Sequence, residues 1–194
     1  MRVEPLKKSF GAKVYDLRIP ELGTEQLDEI YSLWLKYALL IFPEQNLNND
    51  QQIKFAKNFG ALEFDLSPIS NVRGDGSIRD ANDDDIVKSL RGNMEWHHDS
   101  TYMPIQAKGA VFTAHTVPSK GGETGWADMR AAYDNLSENL KNKIEDLSAF
   151  HSYEWSQKER FGHKDSKVSE FNSYGFDIDP CLLYTSDAAD ERNS

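Results

Sequence analysis

Leu27, Ile30, Tyr31, Trp34 and Leu35 recur at helical spacing and lead, almost without a gap, into the apolar run Ala38-Leu-Leu-Ile-Phe42, which Pro43 stops. The first set predicts an amphipathic helix from about Glu25 to Tyr37 with Thr24 as its N-cap. The second predicts a short buried strand. A helix that carries one broad apolar stripe and runs directly into a strand must lay that stripe on a sheet. The chain is thereby held to a layered fold of helices against β-structure. Asn49 with Gln52 resembles a capping box, Ile53, Ala56 and Phe59 form one face, and Gly60 is suited to a C-terminal stop, so a second helix is expected there.

From Leu62 to Asn93 the sequence is irregular, with a turn signal at Asn71-Val-Arg-Gly-Asp-Gly76 and an acidic cluster from Asp80 to Asp85. Without the glycine spacing of a calcium loop the cluster reads as a solvated surface in a long loop or lid. Lys108 to Val117 is rich in apolar and β-branched residues and predicts a core strand closed by Pro118-Ser-Lys-Gly-Gly122. Gly125-Trp-Ala127 predicts a second, shorter strand, and Ser137 opens a helix on which Leu140, Ile144 and Leu147 share a face. The expected architecture is a single domain, mainly β, with helices flanking an antiparallel sheet of barrel or jelly-roll type.

The 194 residues, 39% of them hydrophobic, suffice for one domain with a true core. A net charge of −10 repels phosphate backbones and anionic lipid, which argues against nucleic acid or membrane as a partner. The longest apolar run, Tyr37 to Phe42, is too short to span a bilayer, and the first residues lack the apolar core of a leader, so a soluble cytoplasmic protein is expected. Cys181 is the sole cysteine, so a bound metal would take histidine and carboxylate ligands.

In Trp96-His97-His98-Asp99 the histidine at 97 and the aspartate at 99 are two apart. On an extended strand their side chains share a face and can hold one ion, while His98 points away. Imidazole nitrogen with carboxylate oxygen suits a borderline divalent metal, and His-x-Asp completed by a distant histidine is the facial triad of non-haem Fe(II) oxygenases. The same tripeptide also occurs in solvated loops. Downstream, Gly121-Gly-Glu-Thr-Gly-Trp-Ala-Asp-Met129 follows the predicted strand and puts Thr124 27 residues after His97.

Trp-His-x-Asp, a strand and Gly-Gly-x-Thr in this order resemble the taurine/2,4-dichlorophenoxyacetate dioxygenase family, which depends on Fe(II) and 2-oxoglutarate. The resemblance extends through Leu40-Ile-Phe-Pro43, Gln51-Gln-Ile-Lys-Phe-Ala56, Phe59-Gly-Ala-Leu62 and Ile69-Ser-Asn-Val72 to about His151. Ile69-Ser-Asn-Val72 and Ala127-Asp-Met-Arg-Ala-Ala-Tyr133 are closer to the phenoxyacetate branch. It implies a double-stranded β-helix, a cupin-like jelly roll, with His97 and Asp99 as iron ligands, Thr124 bonded to 2-oxoglutarate and Asn93 at the substrate end. It also implies O2 as co-reactant and a small organic acid as substrate, and it leaves room for a homo-oligomer. His115 is expected as a core or sheet-face residue, and neither His151 nor the exposed His163 is expected to be a ligand.

The family's distal histidine ligand and its 2-oxoglutarate-binding arginine have no match here. Residues 1–180 are therefore expected to be the N-terminal portion of one dioxygenase domain. Cys181-Leu-Leu-Tyr-Thr-Ser-Asp-Ala-Ala-Asp-Glu191 resembles an in-frame translation of a sequencing adapter, so residues 181–194 are expected to be a non-native tail.

Overall fold

The computed structural model describes residues 1–92, 94, 96–101, 103, 105–151 and 181–184. Their contacts fall into two compact units, 1–66 with 110–141, and 67–109 with the chain from 142 onward. In the first unit β1 (Arg2–Pro5) and β2 (Ala12–Tyr15) form an antiparallel pair in which Val3 faces Val14. Sequence analysis does not predict this hairpin, because two four-residue strands with interspersed charges carry little periodic signal. Ala12 and Val14 are fully buried, and Lys13 and Tyr15 alternate outward.

The predicted first helix is present as α1 (Thr24–Tyr37). Its N-cap is Gly23, not Thr24, and the Gly23 amide donates to Gln26 Oε1 at 3.1 Å. Ala38 ends the helix in the left-handed region (φ 61°), with its amide donating to Trp34 O at 2.7 Å. Because Ala38 is used for that turn and Pro43 lacks an amide hydrogen, the five-residue buried strand shrinks to β3 (Leu40–Ile41), a half-buried edge strand parallel to β2. Gly11 makes the junction fit. Its amide donates to Tyr37 O at 2.8 Å, its φ is +92°, and an added Cβ would lie 2.8 Å from Leu6 Cδ1.

α2 (Asn49–Ala56) begins with a capping box one residue earlier than expected. Asn48 Oδ1 accepts from the Gln51 amide at 2.9 Å and Gln51 Oε1 from the Asn48 amide at 3.0 Å. Gln52, free of capping, donates instead to Val111 O at 2.9 Å. Ile19, Ile30, Leu47 and Phe55 form the buried core, bordered by Leu27, Leu40, Phe42, Phe59 and Val111. Gln45 closes its rim by accepting from the Ile19 amide and donating to Leu17 O and Pro43 O.

Neither predicted strand, at Lys108 to Val117 or at Gly125 to Ala127, forms. Both stretches are irregular, since a β-prone sequence becomes a strand only with a neighbouring backbone to pair with, and none pairs with them among the described residues. Val111 still packs on the core, and Phe112 meets Trp126 edge-on at 6.0 Å. Two helices follow instead. α4 (Met129–Asp134) is capped by Asp128, which accepts from the Ala131 amide at 3.0 Å. That bond, with one from Ser9, holds the Asp128 carboxyl below the usual range. The helix predicted after Ser137 is α5 (Glu138–Ile144), with Leu140, Ile144 and Leu147 exposed.

In the second unit, part of the expected loop is ordered. The amide of Arg73 donates to Ser77 O and that of Arg79 to Asn71 O, both at 2.8 Å, and a β-bridge joins Val72 to Ile78. α3 (Asp85–Gly92) follows, a helix where irregular chain was expected. Asp84, from the acidic cluster, ties the two together. It accepts from Arg73 Nη2 at 2.7 Å, from Arg79 Nη1 at 3.2 Å and from the Ile86 amide at 3.0 Å. Burial works to raise its pKa, but the bonds from Arg79 and from the Ile86 and Val87 amides prevail and hold the carboxyl below its ordinary value. β4 (Ser148–His151) pairs antiparallel with β5 (Cys181–Tyr184). Helices therefore outnumber strands between residues 62 and 147 among the described residues, contrary to the mainly β reading of that stretch.

Ile30→Ala is expected to lower stability by about 2–5 kcal/mol in a urea melt, since it empties a fully buried site. Asp84→Asn is expected to increase amide exchange at Arg79 and Ile86 at neutral pH. A depressed carboxyl pKa adds stability above the unfolded value of about 3.9, and that stability is lost as pH falls through the folded value. The Arg79 and Ile86 amide resonances should therefore move below about pH 4, at the pH where the Asp84 carboxyl protonates.

Candidate metal centre

His97 and Asp99 follow α3 in irregular and turn backbone, not on a strand. The shared face anticipated from strand alternation is produced in another way. His97 Nε2 lies 3.1 Å from Asp99 Oδ1 in this irregular and turn backbone, with both side chains open to solvent at 47% and 61%. The next residue, Ser100, is buried at 9% exposure and takes a left-handed φ of 59°. His98 is directed elsewhere, its Nδ1 lying 2.7 Å from Asp99 O. A serine in the left-handed region is uncommon and has no sequence signature, so this turn was not legible beforehand.

The separation fits a shared ion. Adjacent donors about 2.1 Å from an octahedral divalent metal stand about 3 Å apart, which one imidazole nitrogen and one carboxylate oxygen meet here. Their exposure leaves room for the other donors that such an ion needs. Among the described residues no group of three or more histidine, cysteine, aspartate or glutamate side chains gathers at one point.

Two residues beyond Asp99 in sequence, Thr101 Oγ1 is 3.0 Å from Nδ1 of His151, the last residue of β4. Thr124 belongs to the first unit, in an exposed irregular segment just after Gly121 and Gly122, whose φ values are 76° and 75°. Asn93 and His163 lie outside the described residues. His115 is exposed in irregular chain, because the strand that was to bury it or set it on a sheet face does not form. No helix among the described residues is long and apolar enough to cross a membrane.

The model of the family described as taurine catabolism dioxygenase TauD, TfdA family matches residues 2–180. An (S)-phenoxypropionate/alpha-ketoglutarate dioxygenase of Sphingobium herbicidovorans is 51% identical over 183 residues, covering 93% of this chain and 63% of the relative. An alpha-ketoglutarate-dependent 2,4-dichlorophenoxyacetate dioxygenase of Cupriavidus pinatubonensis is 36% identical, covering 86% and 62%. The crystal structure of AAD-2 in complex with Mn(II) and N-oxalylglycine superposes with a TM-score of 0.78 at 33% identity, covering 94% of this chain and 66% of that one. The chain thus spans just over three fifths of the length of these curated relatives, and it shares its fold with the solved protein. With the family model matching nearly its whole length, the chain belongs to the TauD/TfdA family of dioxygenases.

Proposed function

We propose that residues 1–180 are the N-terminal portion of an Fe(II)- and 2-oxoglutarate-dependent dioxygenase domain of the double-stranded β-helix type, acting on a small organic acid of the aryloxyalkanoate class. The observation that carries this reading is the 3.1 Å approach of His97 Nε2 to Asp99 Oδ1 in a chain of this family. In it His97 and Asp99 are two of the protein's iron ligands, the Thr124 hydroxyl hydrogen-bonds 2-oxoglutarate, and Asn93 stands at the substrate end. Names of relatives that include phenoxypropionate and 2,4-dichlorophenoxyacetate dioxygenases support the aryloxyalkanoate class over a sulfonate. The iron, when bound, supplies the oxidation, in which O2 and 2-oxoglutarate yield succinate and CO2 while the organic acid is hydroxylated.

The chain's own contribution is orientation. The backbone of residues 97–99 presents an imidazole and a carboxylate on one side, and their charge and geometry favour a divalent ion over a monovalent one. The 194-residue polypeptide by itself is read as a half-site of little or no turnover, because no third side chain donor joins the pair among the described residues. Residues 181–194 are read as a foreign tail, which the end of the family match at residue 180 supports. The pairing of Cys181–Tyr184 with β4 accords with this, since an open strand edge accepts an extended apolar segment of any origin.

His97→Ala and Asp99→Ala are each expected to weaken Mn(II) binding by tenfold or more, measured from the free-ion EPR signal. Succinate formation from 2-oxoglutarate with Fe(II) should be slight in this chain and substantial in one carried to the length of its relatives. Turnover that survives His97→Ala in that longer chain would refute the ligand assignment.

A further inference from the structure

We infer that residues 110–127 are the docking surface for the rest of the dioxygenase domain, a stretch that takes up added strands and binds that portion even when it is supplied as a separate polypeptide. This rests on the reading of residues 1–180 as the N-terminal portion of such a domain, and adds the partner that the portion takes. Two sets of groups are uncommitted there. The first is the backbone. Among the described residues, none of 110–127 takes part in a backbone–backbone hydrogen bond, although Ala110 to Val117 is rich in β-branched and apolar side chains. The second is apolar surface. Val111 and Thr113 are half-buried, with Val111 packed on the core and its carbonyl accepting from Gln52, whereas Phe112 and Ala114 are exposed. That alternation is the pattern of a strand with one face covered and the other bare.

Phe112 also links the two ends of the stretch. Its ring meets Trp126 edge-on at 6.0 Å, and both rings stay open to water, at 57% and 48%. Met129 and Tyr133, four apart on α4, share one side of that helix and are exposed as well. Large apolar side chains gathered so closely along the chain mark a surface that a partner covers. The relatives indicate which partner. This chain covers 63% and 62% of the two curated dioxygenases and 66% of the solved one, so more than a third of each lies outside the match. The remainder of the same domain offers both things that the bare surface lacks, backbone groups to pair with and an apolar face to lie on Phe112 and Trp126. A second copy of this chain fits less well, because each copy carries a net charge of −10, which opposes self-association.

The test pairs the whole chain with one probe, a tagged polypeptide with the sequence of the Sphingobium herbicidovorans relative outside its match to this chain, co-expressed with it. Expected are recovery of the chain on that tag as a one-to-one complex, and amide hydrogen exchange at residues 110–127 slower by about tenfold or more than in the chain alone. Phe112→Ser and Trp126→Ser are each expected to weaken the complex by about tenfold or more with little change in the urea midpoint of the chain alone, where both rings are exposed. Thr113→Pro and Ala114→Pro each remove one amide. Neighbouring amides of an extended segment point to opposite sides, so at least one of the two is expected to weaken the complex as much. Failure of the chain to stay with the probe would overturn the inference, as would a complex in which residues 110–127 exchange as fast as before. A chain that dimerises by itself with those residues protected would also overturn it, by making a second copy the occupant. A complex that protects residues 110–127 but forms no succinate from 2-oxoglutarate with Fe(II) would count against the dioxygenase reading instead, and leave the docking surface standing.

Discussion

The stripe on α1 must be covered, and the arrangement of the first unit follows from how that is done. Ile30 is removed from water by Ile19, Leu47 and Phe55, each of them from a separate segment. Burying side chains of this size contributes roughly 1.5–3 kcal/mol apiece, enough to bring together pieces of chain that share no ladder. Once α1 lies on that core, its C-terminal end has one way out, through the left-handed Ala38 and along β2. Gly11 then stands where the helix end, the hairpin and Leu6 converge, at a positive φ where a side chain would be strained and would push on Leu6. Gln45 completes the rim by satisfying backbone groups on both sides of it, where a buried and unmet amide would cost more than the bond gains.

The candidate site is built on a different principle. His97 and Asp99 lie in exposed chain, and the buried hydrophobic residues among those described belong to other segments. A pair of donors that must later meet a metal, a cosubstrate and a substrate has to remain reachable, so burial cannot be what orders it. The local backbone of residues 97–99 sets the approach instead. The ordered hairpin and helix upstream follow the same logic. Asp84 pairs with two arginines and caps the first turn of α3, so the acidic cluster that reads as solvated surface includes a tie between hairpin and helix.

Several elements were legible because their signals are local. The apolar spacing of α1, the asparagine and glutamine before α2 and Ser137 before α5 each act within one helical turn, and each helix forms within a residue or so of its expected start. Choosing between Asn48 and Asn49 as the cap was beyond such signals, since both are good caps, and in the folded chain it is Asn48 that exchanges both bonds with Gln51. The segment from Lys108 to Val117 shows the opposite case. Its β-branched and apolar residues describe a surface that wants a partner, but a strand is a relation between two backbones, and the sequence of one cannot supply the other.

For the metal pair, the residue types and the spacing determined the chemistry. A histidine and an aspartate two apart, followed at 27 residues by Thr124 after a double glycine, are sufficient to indicate a divalent ion and a family. What only the tertiary structure decided is how the two donors come to face one another. Strand alternation would have done it by geometry that repeats every second residue. In the folded chain the two meet at 3.1 Å in irregular and turn backbone, directly before a left-handed Ser100 whose carbonyl accepts from the Met103 amide. Local chemistry is written in adjacent residues and can be read from them, whereas an irregular turn has no repeating pattern and becomes visible only when the chain is folded.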